Sequence, residues 1–333
     1  MVIIYSIIHF IAYGISSYSM SAYYGKDGAY AYLFYSICAY ALPVILGCVC
    51  DIVTSRLKHD SGLIHRRFYC GVTLLGALFS LIGMYWGLYA LGVGNALITT
   101  GAGLGSMHDD TGKKNNARNI GIFLGAGIPG LWIGNILAEF TNIQVIVQNV
   151  WIASMCIAVL VCVMYLIYRE HSFQFVSVAQ SDDIYSAVKI SDEKSEPAER
   201  FKLIYLLGLL LCIASAFLCS AIAFRVNYDW KTMLYPSVGT IVAMAAGRVL
   251  GGTVTEHVKN RRMFILLGIG AAALAGVFWG FRDNIVMGIM CLLAINILMS
   301  MTVYYVVDRY KKLRGVTLGA MYLGLFIGFL LYI

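Results

Sequence analysis

Two stretches, GCVCDIVTSR at 47–56 and GTVTEHVKNR at 252–261, decide how this chain folds. Each sets a glycine, an acid four residues on and an arginine five residues further. These are Gly47, Asp51 and Arg56 in the first, and Gly252, Glu256 and Arg261 in the second. The copies lie 205 residues apart, as 47 against 252 or 51 against 256 shows. Both fall where an apolar run gives way to a basic loop. A duplicated helix-to-loop element in a very apolar chain is the mark of an internally repeated membrane protein, and of transporters above all.

Composition agrees. Hydrophobic residues make up 60% of the 333 and charged residues 12%, with a mean hydropathy of +0.78. A soluble domain carries about 25% charged residues, so the bilayer is the solvent here. Eleven apolar runs are long enough to span it as helices: about 2–23, 29–50, 68–85, 87–106, 119–139, 146–168, 202–224, 233–252, 263–281, 285–305 and 315–333. A backbone in hydrocarbon must satisfy its own hydrogen bonds, so each run reads as helix. A β-barrel is disfavoured, because short alternating strands are missing.

The remaining stretch is polar and acid-rich. It gives a six-helix half at 1–168, a cytoplasmic linker at 169–201 and a five-helix half at 202–333. Nineteen of the 24 Lys and Arg fall in the loops on one side, from Arg56 to Arg314. Only Lys26, Arg225, Lys231 and Arg282 fall on the other. The positive-inside rule puts the first side in the cytoplasm, with Met1 inside and Ile333 outside. The net charge of +7 is therefore topological, and its scatter over five loops speaks against nucleic-acid binding. The first run lacks a charged n-region and a small-residue cleavage site, and so reads as a retained span. The nine cysteines lie in or beside spans with no CxxC pair, which implies neither a disulfide framework nor zinc.

The motifs resemble those of the major facilitator superfamily. The 47–56 element resembles the family's loop 2–3 motif, and GRVLGGTVTE at 247–256 its counterpart after helix 8. On helix 5, GIFLGAGIPGLWIG at 121–134 is similar to the glycine-rich motif of many antiporters, through Gly125, Gly127, Pro129, Gly130 and Gly134. Helix 4 (GVGNAL, 92–97) and helix 11 (GVTLGAMYLGLFIG, 315–328) are similar in kind. The sequence departs from the pattern at Thr54 and Lys259, where the family usually has glycine, and helix 4 lacks the usual arginine. The resemblance implies two pseudo-symmetric halves around a central cavity lined by helices 1, 4, 7 and 10. It also implies alternating access for a small solute, as secondary active or facilitative transport across the plasma (inner) membrane, by a monomer.

Polar residues inside spans are the site candidates. Asn95 and Asn296 stand mid-span on helices 4 and 10, where they either line the cavity or bond between helices. His9 and Tyr13 lie one turn apart on helix 1. His9 either carries a coupling proton or donates to a main-chain carbonyl. Trp132 and Asn135 follow on helix 5. Glu139 and Arg225 stand at outer helix ends as further coupling candidates or as solvated boundary residues; Arg225 and Arg248 either attract an anionic solute or snorkel to the interface, the cheaper arrangement. Coupling to a proton or sodium is the only cofactor-like requirement that the sequence raises. Gly47 and Gly252 let a neighbouring helix come close. Asp51 and Glu256 are placed to meet a helix N-terminus, and Arg56 and Arg261 to bridge the facing loop, as a cytoplasmic gate. Two readings rival transport: a non-transporting scaffold or sensor, and a membrane enzyme acting on lipid-linked substrates. Enzyme chemistry has little support. SMHDD at 106–110 has no second ligand cluster, and no Walker A element occurs.

Overall fold

The computed structural model describes residues 1–24, 28–57, 62–108, 116–179, 198–226, 234–258 and 261–331. These form eleven long helices. They are α1 (Val2–Tyr23), α2 (28–56), α3 (Gly62–Trp86), α4 (Leu88–Met107), α5 (Asn116–Ala138), α6 (Gln144–Ala179), α7 (Ala198–Val226), α8 (Leu234–His257), α9 (Arg261–Gly280), α10 (Ile285–Arg309) and α11 (Arg314–Leu330). Nine of them are long and apolar enough to cross a membrane among the described residues. The two others have separate reasons. α11 is only 17 residues long. α4 is rich in Gly, Thr and Ser but is buried along nearly all of 91–107, so lipid does not dictate its composition.

Helix packing repeats with a shift of six helices. α1 packs on α5 as α7 packs on α11; α2 meets α4 as α8 meets α10; α3 lies on α4 as α9 lies on α10. The two sets join through crossed pairs, α2 with α11 and α5 with α8. Glycines set these spacings. Gly130 and Gly134 of α5 face the backbone of Phe10 and Gly14 on α1, and Gly324 and Gly328 of α11 face that of Ile213 and Phe217 on α7. Peripheral helices turn apolar side chains outward, as Ile265, Leu266, Ile269 and Leu274 do on α9; in a bilayer these meet lipid.

Several helices outrun their sequence-based limits. α8 continues to His257 and α6 to Ala179. α2 is not uniform: Gly28–Ser36 and Leu42–Arg56 are α-helical, and Ile37–Ala41 between them is a π-helical turn. Pro43 follows one residue later, with no N–H for the ladder, and the wide turn absorbs the mismatch. It also changes which side chains share a face. Five residues of α-helix rotate a side chain by about 500°, roughly 140° off register. The π turn rotates less per residue, so Tyr35 and Tyr40 both point inward, their rings 6.5 Å apart and perpendicular.

Candidate functional site

Where the halves cross, at the end of the bundle bearing both motifs, the backbones nearly touch. A Cβ on Gly47 would collide with the carbonyl of Gly315, and one on Gly315 with that of Gly47. This approach brings Asp51 to the first turn of α11. The Asp51 carboxylate accepts hydrogen bonds from the main-chain N–H of Gly315 (2.8 Å) and Val316 (2.9 Å), and the residue is 8% exposed. An acid of one half thus caps a helix of the other, where unpaired N–H groups and the helix dipole favour negative charge. The second copy is set alike. Gly252 of α8 lies against the Ala117 carbonyl and the Gly121 Cα of α5, and Glu256 follows one turn on, half-buried. Arg56 is exposed; the side chain of Arg261 falls outside the described residues.

The seam between α5 and α8 runs on toward the opposite end. A cleft of about 430 Å³ opens there, lined by Pro129, Trp132, Ile133, Val238, Val242 and Ala245 among others, all apolar. Trp132 donates from Nε1 to Ser237 Oγ beside it (2.9 Å).

Between these ends lies a buried polar cluster. His9 (1% exposed) stacks on Phe123, with ring centroids 4.3 Å apart, and meets Tyr13 edge-on at 4.4 Å. Its Nδ1 is 2.9 Å from the Phe123 carbonyl. A carbonyl only accepts, so Nδ1 carries the hydrogen and Nε2 is left with a lone pair. Nε2 is buried without a partner. On the next residue of α5, the Leu124 carbonyl accepts from Arg248 Nη1 (2.8 Å), while Arg248 Nε donates to Asn296 Oδ1 (3.0 Å). Asn296 returns its own amide to Leu292 O (2.8 Å) and also accepts from Cys219 Sγ (3.3 Å). Asn95 donates to the Tyr35 hydroxyl (3.0 Å), and its Oδ1 is buried unpartnered. Tyr40 and Tyr322 stack beside Tyr13 with ring centroids 6.3 Å apart, and the Tyr322 hydroxyl is buried without a partner.

The structure therefore gathers four of the candidates, His9, Tyr13, Asn95 and Asn296, into one buried region. Asn135 is instead exposed and held by Ser17 and Ser21 of α1 (2.8 and 2.6 Å). Trp132 sits at the α5–α8 cleft, and Glu139 and Arg225 are exposed, away from the cluster. The sequence reading raised Arg248 but placed it at the interface, and it left the three tyrosines 35, 40 and 322 out of the site. Arg248 does not snorkel. Because α8 runs on to His257, Arg248 is near the middle of its span, and it turns inward. The tyrosines read as belt or packing residues; the one signal against that was Pro43 three residues after Tyr40, which marks the irregular turn.

No protein-family model matches the sequence, and no curated protein matches it either. Solved structures do match. The E. coli fucose:proton symporter FucP is 12% identical, with a TM-score of 0.52 over 97% of this chain and 87% of that one. FucP in its outward conformation, solved as a major facilitator superfamily transporter, is 13% identical, with a TM-score of 0.50 over 98% of this chain and 88% of that one. The fold is that of a major facilitator transporter. At such identity the likeness carries architecture and not substrate, and the chemistry has to come from the cluster itself.

Proposed function

We propose that this protein is a secondary transporter that moves a small solute by alternating access, with residues 1–168 and 202–333 as the two moving halves. One observation carries the reading. A buried polar cluster with unsatisfied acceptors lies where two pseudo-symmetric helical sets meet, with a tightly packed end on one side and an apolar cleft on the other. Orphaned polar groups cost about 1–3 kcal/mol each, and a solute that pairs with them recovers that cost. The motif end is cytoplasmic in this proposal, from the loop charges, so the arrangement described is closed inward. The outward conformation of the similar symporter supports that assignment. Gly47, Asp51, Gly252 and Glu256 form the cytoplasmic gate, with Arg56 and Arg261 beside it; Trp132 and Ser237 mark the outer rim. Of the three coupling candidates only His9 lies in the cluster, and the proposal gives it the coupling proton, as the proton symport of FucP suggests. Sodium has no carboxylate to hold it among the described residues of the cluster.

The test is saturable uptake by proteoliposomes holding the purified chain, assayed with a mixture of labelled metabolites with and without an inward proton gradient. Uptake that saturates and is accelerated by counter-substrate supports a carrier. Uptake equal to that of protein-free vesicles refutes it, and would leave the scaffold and enzyme readings.

A further inference from the structure

The cluster contains one permanent charge and nothing of opposite sign. Arg248 is half-buried near mid-span, and guanidinium is protonated at any accessible pH. Its hydrogen-bond partners, Asn296 Oδ1 and the Leu124 carbonyl, are both neutral. Two of its five N–H donors are used there, and among the described residues no carboxylate pairs with it. The acids of the helices stand elsewhere. Asp51 caps α11 at one end of the bundle, Glu256 lies at that same end, and Glu139 is exposed at the other. A cation inside a membrane domain is strongly disfavoured unless it is paired or hydrated. What shares the cluster with it is suited to an anion: Tyr13, Tyr40 and Tyr322 carry hydroxyl donors, and the Tyr322 hydroxyl is buried without a partner.

The helices hold Arg248 in this position. Gly247 and Gly251 set α8 against the Leu293 and Ile297 carbonyls of α10, and Gly121 and Gly252 set it against α5. The guanidinium is trapped between two close backbones with a fixed orientation. A planar fork held in that way matches a planar oxyanion in a two-point contact better than a diffuse positive field would. The tyrosines supply the rest: flat apolar ring faces for a carbon skeleton, and hydroxyls that donate to oxygen.

We propose that the transported solute is a small organic anion whose carboxylate binds Arg248, with Tyr13 and Tyr322 donating to it and Tyr40 packing its carbon skeleton. This rests on the transport reading above and adds the substrate class to it.

A binding experiment tests it separately from flux. The purified full chain in detergent is titrated with acetate, lactate, benzoate, inorganic phosphate and L-fucose, and thermal unfolding is followed for the protein as it stands and for Arg248→Gln, Arg248→Lys and Tyr13→Phe. Carboxylates should raise the unfolding temperature, phosphate less and L-fucose not at all. Arg248→Gln should weaken carboxylate binding roughly ten- to hundredfold, as expected for losing a hydrogen-bonded charge. Arg248→Lys keeps the charge without the fork and should fall between; it also serves if the glutamine variant does not fold. Stabilisation by L-fucose and not by the carboxylates overturns the proposal, as does carboxylate binding undiminished in both arginine variants. A protein that none of these compounds stabilises up to millimolar concentrations overturns it too. Saturable flux of a neutral solute alone would sink the anion and leave transport standing. Arg248-dependent anion binding with no flux would do the reverse.

Discussion

Replacing Asp51 by Asn should open the motif end of the bundle. The carboxylate receives two main-chain N–H groups at 2.8 and 2.9 Å, and both belong to the uncapped first turn of α11. Asparagine has nearly the same shape but carries no charge, and one of its two positions becomes an NH2 facing a main-chain N–H. A charge–dipole contact in a partly buried setting is worth up to about 2 kcal/mol, and the lost acceptor adds to it. Because the contact joins two halves, the whole difference falls on the closed state. A change of about 1–2 kcal/mol moves the closed-to-open ratio by roughly five- to thirtyfold. Spin labels at the exposed positions Ser55 and His257, in a background without native cysteines, would report the separation of the halves at that end. The distance distribution should shift toward longer separations in Asp51→Asn, while solute affinity changes little. A distribution identical to that of the parent would refute the latch and leave Asp51 as a helix cap of no mechanical consequence.

The other expectations are more local. Gly252→Leu sets a side chain against the Ala117 carbonyl, so it should hold α8 off α5, lengthen the same distances and loosen the Arg248–Leu124 contact across that seam. Tyr35→Phe deprives the Asn95 amide of its 3.0 Å partner and should cost about 1–3 kcal/mol, seen as a lower midpoint in thermal unfolding; no change would mean that Asn95 finds another acceptor. His9→Gln should abolish acceleration by a proton gradient and spare counter-substrate exchange, and a gradient response that survives would remove His9 from coupling. A cysteine at Ser55 should react with impermeant maleimide only after cells are permeabilised, and reaction in intact cells would invert the proposed orientation.

The sequence carried the architecture well, because apolar run length depends on position along the chain alone. All eleven helices could be read from it, and the repeated motif pointed to the paired contacts that Gly47 and Gly252 make. It carried the site poorly, because a site depends on azimuth. Tyr35 and Tyr40 converge through a π turn that no helical period encodes. Arg248 was misplaced by the five residues that α8 runs beyond its expected end, enough to turn a mid-span cation into an interfacial one. Asn135, a candidate on helix 5, is occupied by two serines of α1. His9 was read with both its outcomes open; it makes the carbonyl contact and still keeps a free acceptor.

The glycine faces at the crossings bear on how fast the halves can part. Where side chains interlock, separation must withdraw them one by one, and each gains or loses rotamers on the way. Gly47 against Gly315, and Gly252 against Ala117 and Gly121, have almost no side-chain freedom to alter. Such faces come together and come apart as smooth surfaces, so the barrier between arrangements is set by a few polar contacts such as the Asp51 cap. A single methyl added at either crossing would meet a main-chain carbonyl and so would weigh, in the proposed cycle, on the packed arrangement itself.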